Sequence, residues 1–315
     1  MRSHSTINPY VRVILFVVGY FAVAIALSVA VAIGAGLLIG LGVIPEPDIQ
    51  MTSPTMSIDE ILEMIAPWLL PIAIGTGLFS ILYTWLFLRV FDKRPLTDLG
   101  ISWRPGAGAD FARGCALAFV ILTIIFVFSW TTGGIRVEGF ARPAPDGTPV
   151  AAYLLGAVVA FLAVGLYEEL MFRGYVLQAI EDRGSKVAAI IISSLVFALL
   201  HSANPGADPM GILNTALIGA LLAAVYLRTR TLWMPIGFHF AWNFLLGYVY
   251  SLPVSGLPIH GMLEITELES ESRLTGGSYG PEAGLLTTVA IGVWAAWLIW
   301  RHTKRRAPRD EREAR

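Results

Sequence analysis

The sequence predicts an all-α fold: a polytopic bundle of about eight transmembrane helices with both termini cytoplasmic. Three observations carry this reading. Hydrophobic residues make up 56% of the 315 and charged residues only 14%, where a soluble domain holds about 25% charged residues. Mean hydropathy is +0.68. The chain also divides into eight largely uncharged stretches, to be set against the roughly 20 apolar residues that cross a hydrocarbon core. Finally, its basic residues fall on alternate connections between those stretches, as the positive-inside bias requires.

The first stretch, Val13–Ile44, is 32 residues long. That is too long for one upright helix and too short for two spans with a turn. It reads as one tilted or kinked helix with Gly34, Gly36, Gly40 and Gly42 near its far end. A cleaved signal segment would carry only about 7–15 apolar residues, so the helix is expected to be retained. Met64–Leu88 and Gly114–Ile135 follow. Val150–Tyr167 then runs into a charged extension, and Val187–Leu200, Met210–Leu227, Leu232–Leu252 and Ala283–Trp300 complete the set. With the N-terminus inside, the inner segments hold 19 of the 22 Lys and Arg residues, Arg173 counted among them. Only Arg136, Arg142 and Arg273 fall outside, and the outer connections carry Glu46, Asp48, Asp59, Glu264, Glu267, Glu269 and Glu271 instead.

The whole chain reads as one membrane domain, with its chemistry in a core at residues 150–252. The tail 301–315 is basic and suits anchorage beside anionic headgroups. The connection 253–281 is rich in Gly, Ser, Thr and Glu and is expected to be a flexible lid or an unstructured connector. A single cysteine, Cys115, excludes an internal disulfide framework and a Cys-based metal cluster. A net charge of −1 without a basic stripe leaves nucleic acid off the list of expected partners, and the lipid bilayer on it. No fixed-period repeat or inverted pair of broken helices points to a transporter.

Three places break the apolar pattern of the core. Glu168, Glu169 and Arg173 follow an uncharged run and precede Tyr175-Val176-Leu177. A charge at the bilayer centre costs about 2.5–3.5 kcal/mol on insertion scales, so three together imply use. Glu169 and Arg173 are four apart and share a helix face, while Glu168 points elsewhere and is free to exchange a proton. His201 closes the stretch 187–200 just before Asn204-Pro205-Gly206, and His239 and Asn243 share a face of the next-but-one stretch. Peptide hydrolysis needs a base to activate water, a partner to orient it and donors for the oxyanion. Glu168 with His201 suits the first pair of roles, and His239 with Asn243 the donor role. By helical rise His201 lies roughly 22 Å from the inner end of its stretch and His239 roughly 12 Å. The His239 helix is therefore expected to start deeper than its charge boundary.

In order, Glu168-Glu169-Leu170-Met171-Phe172-Arg173, Phe197-Ala198-Leu199-Leu200-His201 and His239-Phe240-Ala241-Trp242-Asn243 resemble the three motifs of the CAAX-protease and bacteriocin-processing (CPBP/ABI) intramembrane proteases. Arg94-Pro95-Leu96-Thr97-Asp98-Leu99-Gly100-Ile101 is similar to a cytoplasmic segment of the same family. The resemblance implies an intramembrane endopeptidase acting on a membrane-embedded or lipid-anchored peptide, and the compact form of the chain points to a prokaryotic plasma membrane. The resemblance makes Glu168 the base acting with His201, lets Glu169 and Arg173 shape the site, and gives the oxyanion to His239 and Asn243. No His-Glu-x-x-His occurs, and no cofactor is expected. If zinc is bound, Glu168, His201 and His239 are its three candidate ligands. A bacteriocin-immunity-type scaffold without activity and a small proton-coupled transporter are the competing expectations.

Overall fold

A computed structural model describes residues 7–41, 68–141, 148–182, 184–259, 261–267 and 272–313. The expectations for Arg2, Gly42, Glu46, Asp48, Asp59, Arg142, Arg183, Glu269 and Glu271 lie outside these residues, as do the side chains of the basic tail. The principal helices are α1 (Pro9–Gly40), α2 (Leu69–Phe87), α3 (Ala107–Thr131), α4 (Val150–Glu169), α5 (Leu177–Glu181), α6 (Lys186–His201), α7 (Pro209–Thr229) and α8 (Trp233–Phe244). After a short helix α9 (Ser272–Thr275), the long α10 (Leu285–Glu313) closes the chain.

Each predicted stretch contains a helix, but the helices are unequal. Among the described residues five are long and apolar enough to cross a membrane: Pro9–Gly34, Leu70–Asp92, Ala107–Thr131, Val150–Glu181 and Pro209–Thr229. Lys186–His201 and Leu285–Leu298 are shorter apolar helices, and α8 has 12 residues. The causes are local. Ser185 caps α6 by accepting from the Ala188 amide, and Asn204-Pro205-Gly206 lies just past its end. Asp208 then caps α7, with Pro209 in its first turn.

Close helix contacts are made by small residues, as packing without a hydrophobic drive requires. A Cβ on Gly114 of α3 would run into the carbonyl oxygen of Met234, and one on Gly237 of α8 into that of Phe111. On α4, a Cβ at Gly165 would stand 3.0 Å from the Phe240 amide nitrogen. Thus α8, which carries His239, is wedged backbone to backbone between α3 and α4. Its start is buried in protein: Leu232 is wholly buried, its amide donates to Gly100 O at 2.9 Å, and Trp233 Nε1 donates to Ser102 O at 3.1 Å.

In the same cluster as Leu232, Arg12 pairs with Asp92, which also accepts from Tyr175 Oη at 3.0 Å. Phe16 packs on Tyr175 with ring centroids 4.4 Å apart. Beyond this foot α1 is exposed, with Ile25 and Val31 each 63% accessible, as a lipid-facing helix would be.

Two expectations need correction. The fold is not wholly helical, because β1 (Ile135–Phe140) pairs antiparallel with β2 (Leu263–Glu267), from Ile135 opposite Glu267 to Phe140 opposite Leu263. Both segments alternate in burial with a period of two, over runs too short to stand out in the sequence. Nor is the connection 253–281 unstructured where it is described. Besides β2, the Gly256 amide donates to Tyr279 O at 2.9 Å and Met262 N to Tyr248 O at 2.8 Å.

Candidate active site

The helix α4 ends in a π-helical turn, Leu170–Val176, every residue of which is buried. Such wide turns are rare and cluster at functional sites. This one starts directly after the two glutamates. Arg173 NH1 donates to Glu169 Oε1 at 2.7 Å, as the spacing of four predicts, with both groups fully buried. The guanidinium also lies over the Phe197 ring, 4.3 Å from its centroid. Gly219 of α7 leaves room for it, since a Cβ there would be 3.1 Å from Arg173 NH2. Arg173 is therefore an interior counter-ion, and its place among the basic residues that orient the chain is withdrawn.

The structure brings Glu168, His201 and His239 together. His239 Nδ1 stands 3.0 Å from Glu169 Oε1. A carboxylate accepts, so this nitrogen carries the hydrogen, and in the neutral ring Nε2 is left with a lone pair. That Nε2 faces Glu168 Oε2 at 3.5 Å. His201 repeats the arrangement: Nδ1 lies 2.8 Å from Phe197 O, a pure acceptor, and Nε2 faces Glu168 Oε2 at 3.9 Å. Glu168 Oε1 accepts from Tyr167 Oη at 3.2 Å, while Oε2 is buried without a hydrogen-bond partner. With both rings neutral and Glu168 ionised, three acceptors face one another, an arrangement that a shared water can satisfy.

His239 therefore stands between the two carboxylates, rather than beside Asn243 as a joint donor for an oxyanion. Asn243 is buried one turn further along α8 and lines the same cavity. No described residue holds its side-chain amide. The cavity, about 410 Å³, is walled mainly by apolar side chains of α2, α4, α6, α7, α8 and α10. Phe197 is its hub, in contact with Phe172, Arg173, His201 and His239. The motif spacing marked Phe197 only as the residue four before His201. Tyr167 and Glu282, which also line the cavity, stand outside every spacing considered.

Residues 150–245 match the family model described as type II CAAX prenyl endopeptidase Rce1-like. The site lies in an Rce1-like core. The match takes in Glu168, Glu169, Arg173, His201, His239 and Asn243. A Bacillus subtilis (strain 168) protein named "Putative membrane peptidase YdiL" is 29% identical over 94 residues, 30% of this chain and 36% of that protein. The chain thus spans about a third of the length of the curated relative it matches. Around the Rce1-like core stand helices α1 to α3 and α10, which the family match does not include.

The donor types in this core suit zinc, and both imidazoles are oriented through their Nδ1 hydrogens as metal ligands are. Their spacing is wider than a metal cage. Among the described residues no three His, Cys, Asp or Glu groups stand close enough to hold an ion.

Proposed function

We propose that this protein is an intramembrane endopeptidase whose nucleophile is a water activated by Glu168. The observation that carries the reading is the convergence of His201 Nε2 and His239 Nε2 on the buried Glu168 Oε2, which has no hydrogen-bond partner. A water there donates to Glu168 and to one imidazole, which leaves an oxygen lone pair for the scissile carbonyl carbon. As the C–O bond forms, Glu168 takes the proton, and the carbonyl oxygen becomes an oxyanion. The side-chain amide of Asn243, which no described residue holds, is the donor available to that oxyanion. Glu168 then passes its proton to the amide nitrogen as the C–N bond breaks. Glu169, held by Arg173, keeps His239 in the tautomer that presents Nε2.

The substrate we infer is a membrane-embedded or lipid-anchored peptide, because the cavity walls are mainly apolar. The five span-length helices and the distribution of basic residues support a bundle in which α6, α8 and α10 complete eight crossings. Both ends are then cytoplasmic, and the bilayer is a prokaryotic plasma membrane.

The test is a cleavage assay on the full chain in nanodiscs, with hydrophobic model peptides. Glu168→Gln should reduce kcat by at least about a thousandfold while the thermal unfolding midpoint stays within a few degrees. Wild-type cleavage should persist after exhaustive chelation. Unchanged biological activity in Glu168→Gln would favour a scaffold, and loss of pH-driven uptake a transporter.

A further inference from the structure

Among the described residues no Lys or Arg lines the cavity, whereas two carboxylates do: Glu168 and Glu282. Glu282 sits in a short turn, Pro281–Ala283, just before α10, and no motif marks it. Its Oε1 accepts from Trp242 Nε1 at 3.1 Å, and its Oε2 accepts from Ser255 Oγ at 2.8 Å and from the Ser255 amide. An indole N–H and a backbone N–H can only donate, so the seat is built around an acceptor. Oε1 keeps one lone pair unused. Burial nevertheless pushes the Glu282 carboxyl up, against hydrogen bonds from Ser255 and Trp242, which favour the anion. The turn itself is pinned: Asn214 Nδ2 donates to Glu282 O at 2.8 Å and to Gly284 O at 3.1 Å. The result is a fixed, poorly hydrated anion site in an apolar cavity without a fixed cation.

We propose that Glu282 is a specificity residue that receives the positively charged head of a substrate Lys or Arg side chain. Such a side chain lays its methylene stem along the apolar wall and brings its charge to Oε1. The cavity thereby prefers a hydrophobic peptide with one basic residue at a set distance from the bond held over Glu168. This inference rests on the endopeptidase reading.

The experiment uses the full chain in nanodiscs carrying Glu168→Gln, so that bound peptide is not turned over. Fluorescent hydrophobic peptides, identical except for Lys or norleucine at one scanned position, are titrated against it. At one register the Lys peptide should bind about tenfold or more tightly than its norleucine counterpart. Adding Glu282→Gln should bring that ratio to near one. Ser255→Ala, which removes a hydroxyl but keeps the carboxylate, should preserve it. Equal affinities at every register overturn the proposal, as does a ratio that survives Glu282→Gln. A ratio lost equally in Ser255→Ala would show that Glu282 only pins the loop, and it also overturns the proposal. If Glu282→Gln fails to fold, Glu282→Asp keeps the charge and must keep a preference for Lys. Protein with Glu168 intact that prefers the Lys peptide yet cleaves neither would remove the endopeptidase reading and leave the Glu282 site standing.

Discussion

Arg173 has a single carboxylate partner, Glu169, and one aromatic face, Phe197, and it is 1% exposed. Removing one member of such a pair strands a charge, at a cost of about 3–5 kcal/mol. Arg173→Ala should therefore lower the thermal midpoint in detergent sharply as well as abolish activity. Arg173→Lys should recover little, because an ammonium neither stacks as a plane nor forks. Glu169→Gln strands the buried Arg173 guanidinium by the same argument and should also lower the midpoint, and kcat of the protein that stays folded should fall because His239 Nδ1 loses the carboxylate that sets its tautomer. Comparing kcat with the melting curve for both variants checks this. The Glu169–Arg173 pair was legible from a spacing of four, since both residues sit on one helix. The place of His239 was not, because it depends on how α4 and α8 meet across 70 residues of chain. Glu282 was illegible for the same reason, standing in a connection whose course no periodicity describes.

At the scale of elements, the α3–α8 and α4–α8 contacts decide where His239 stands. Gly114→Ala or Gly237→Ala forces a methyl group into a facing backbone carbonyl, and overpacking of this kind costs about 1–3 kcal/mol. Either change should lower the melting midpoint and weaken cleavage together, because the helix that shifts carries the site. Gly292 of α10 has no heavy atom within 4 Å of where its Cβ would be. There Ala brings only its helix propensity, a gain of up to about 1 kcal/mol, and Gly292→Ala should be neutral or stabilising. Differential scanning fluorimetry on the three variants reads all of these signs. Helix positions were legible from uncharged runs, but their lengths were not. Caps at Ser185 and Asp208, and the docking of Leu232 on Gly100, set those ends, and each is a pairing rather than a composition. The β1–β2 ribbon escaped because five or six alternating residues carry little signal on their own.

For the molecule as a whole, the orientation inferred from basic residues gives a labelling prediction. Ser102 and Ser202 are both exposed and stand on opposite sides in the eight-crossing arrangement. In cells, a cysteine at 202 should react with a membrane-impermeant thiol reagent, and one at 102 only after permeabilisation. Cys115, half-buried against the Gly237 carbonyl, is the background to subtract. Reversal of the two would invert the topology without disturbing the site.

The convergence of three lone pairs on one point has a bearing on inhibitor chemistry. A compound that fills the spot with hydrocarbon evicts whatever donates there and leaves Glu168, His201 and His239 mutually repulsive, so size and greasiness alone should give weak binders. A hydrated ketone or a phosphinic acid brings hydroxyl hydrogens to those same atoms, and potency should follow the number of hydrogens supplied rather than the area covered.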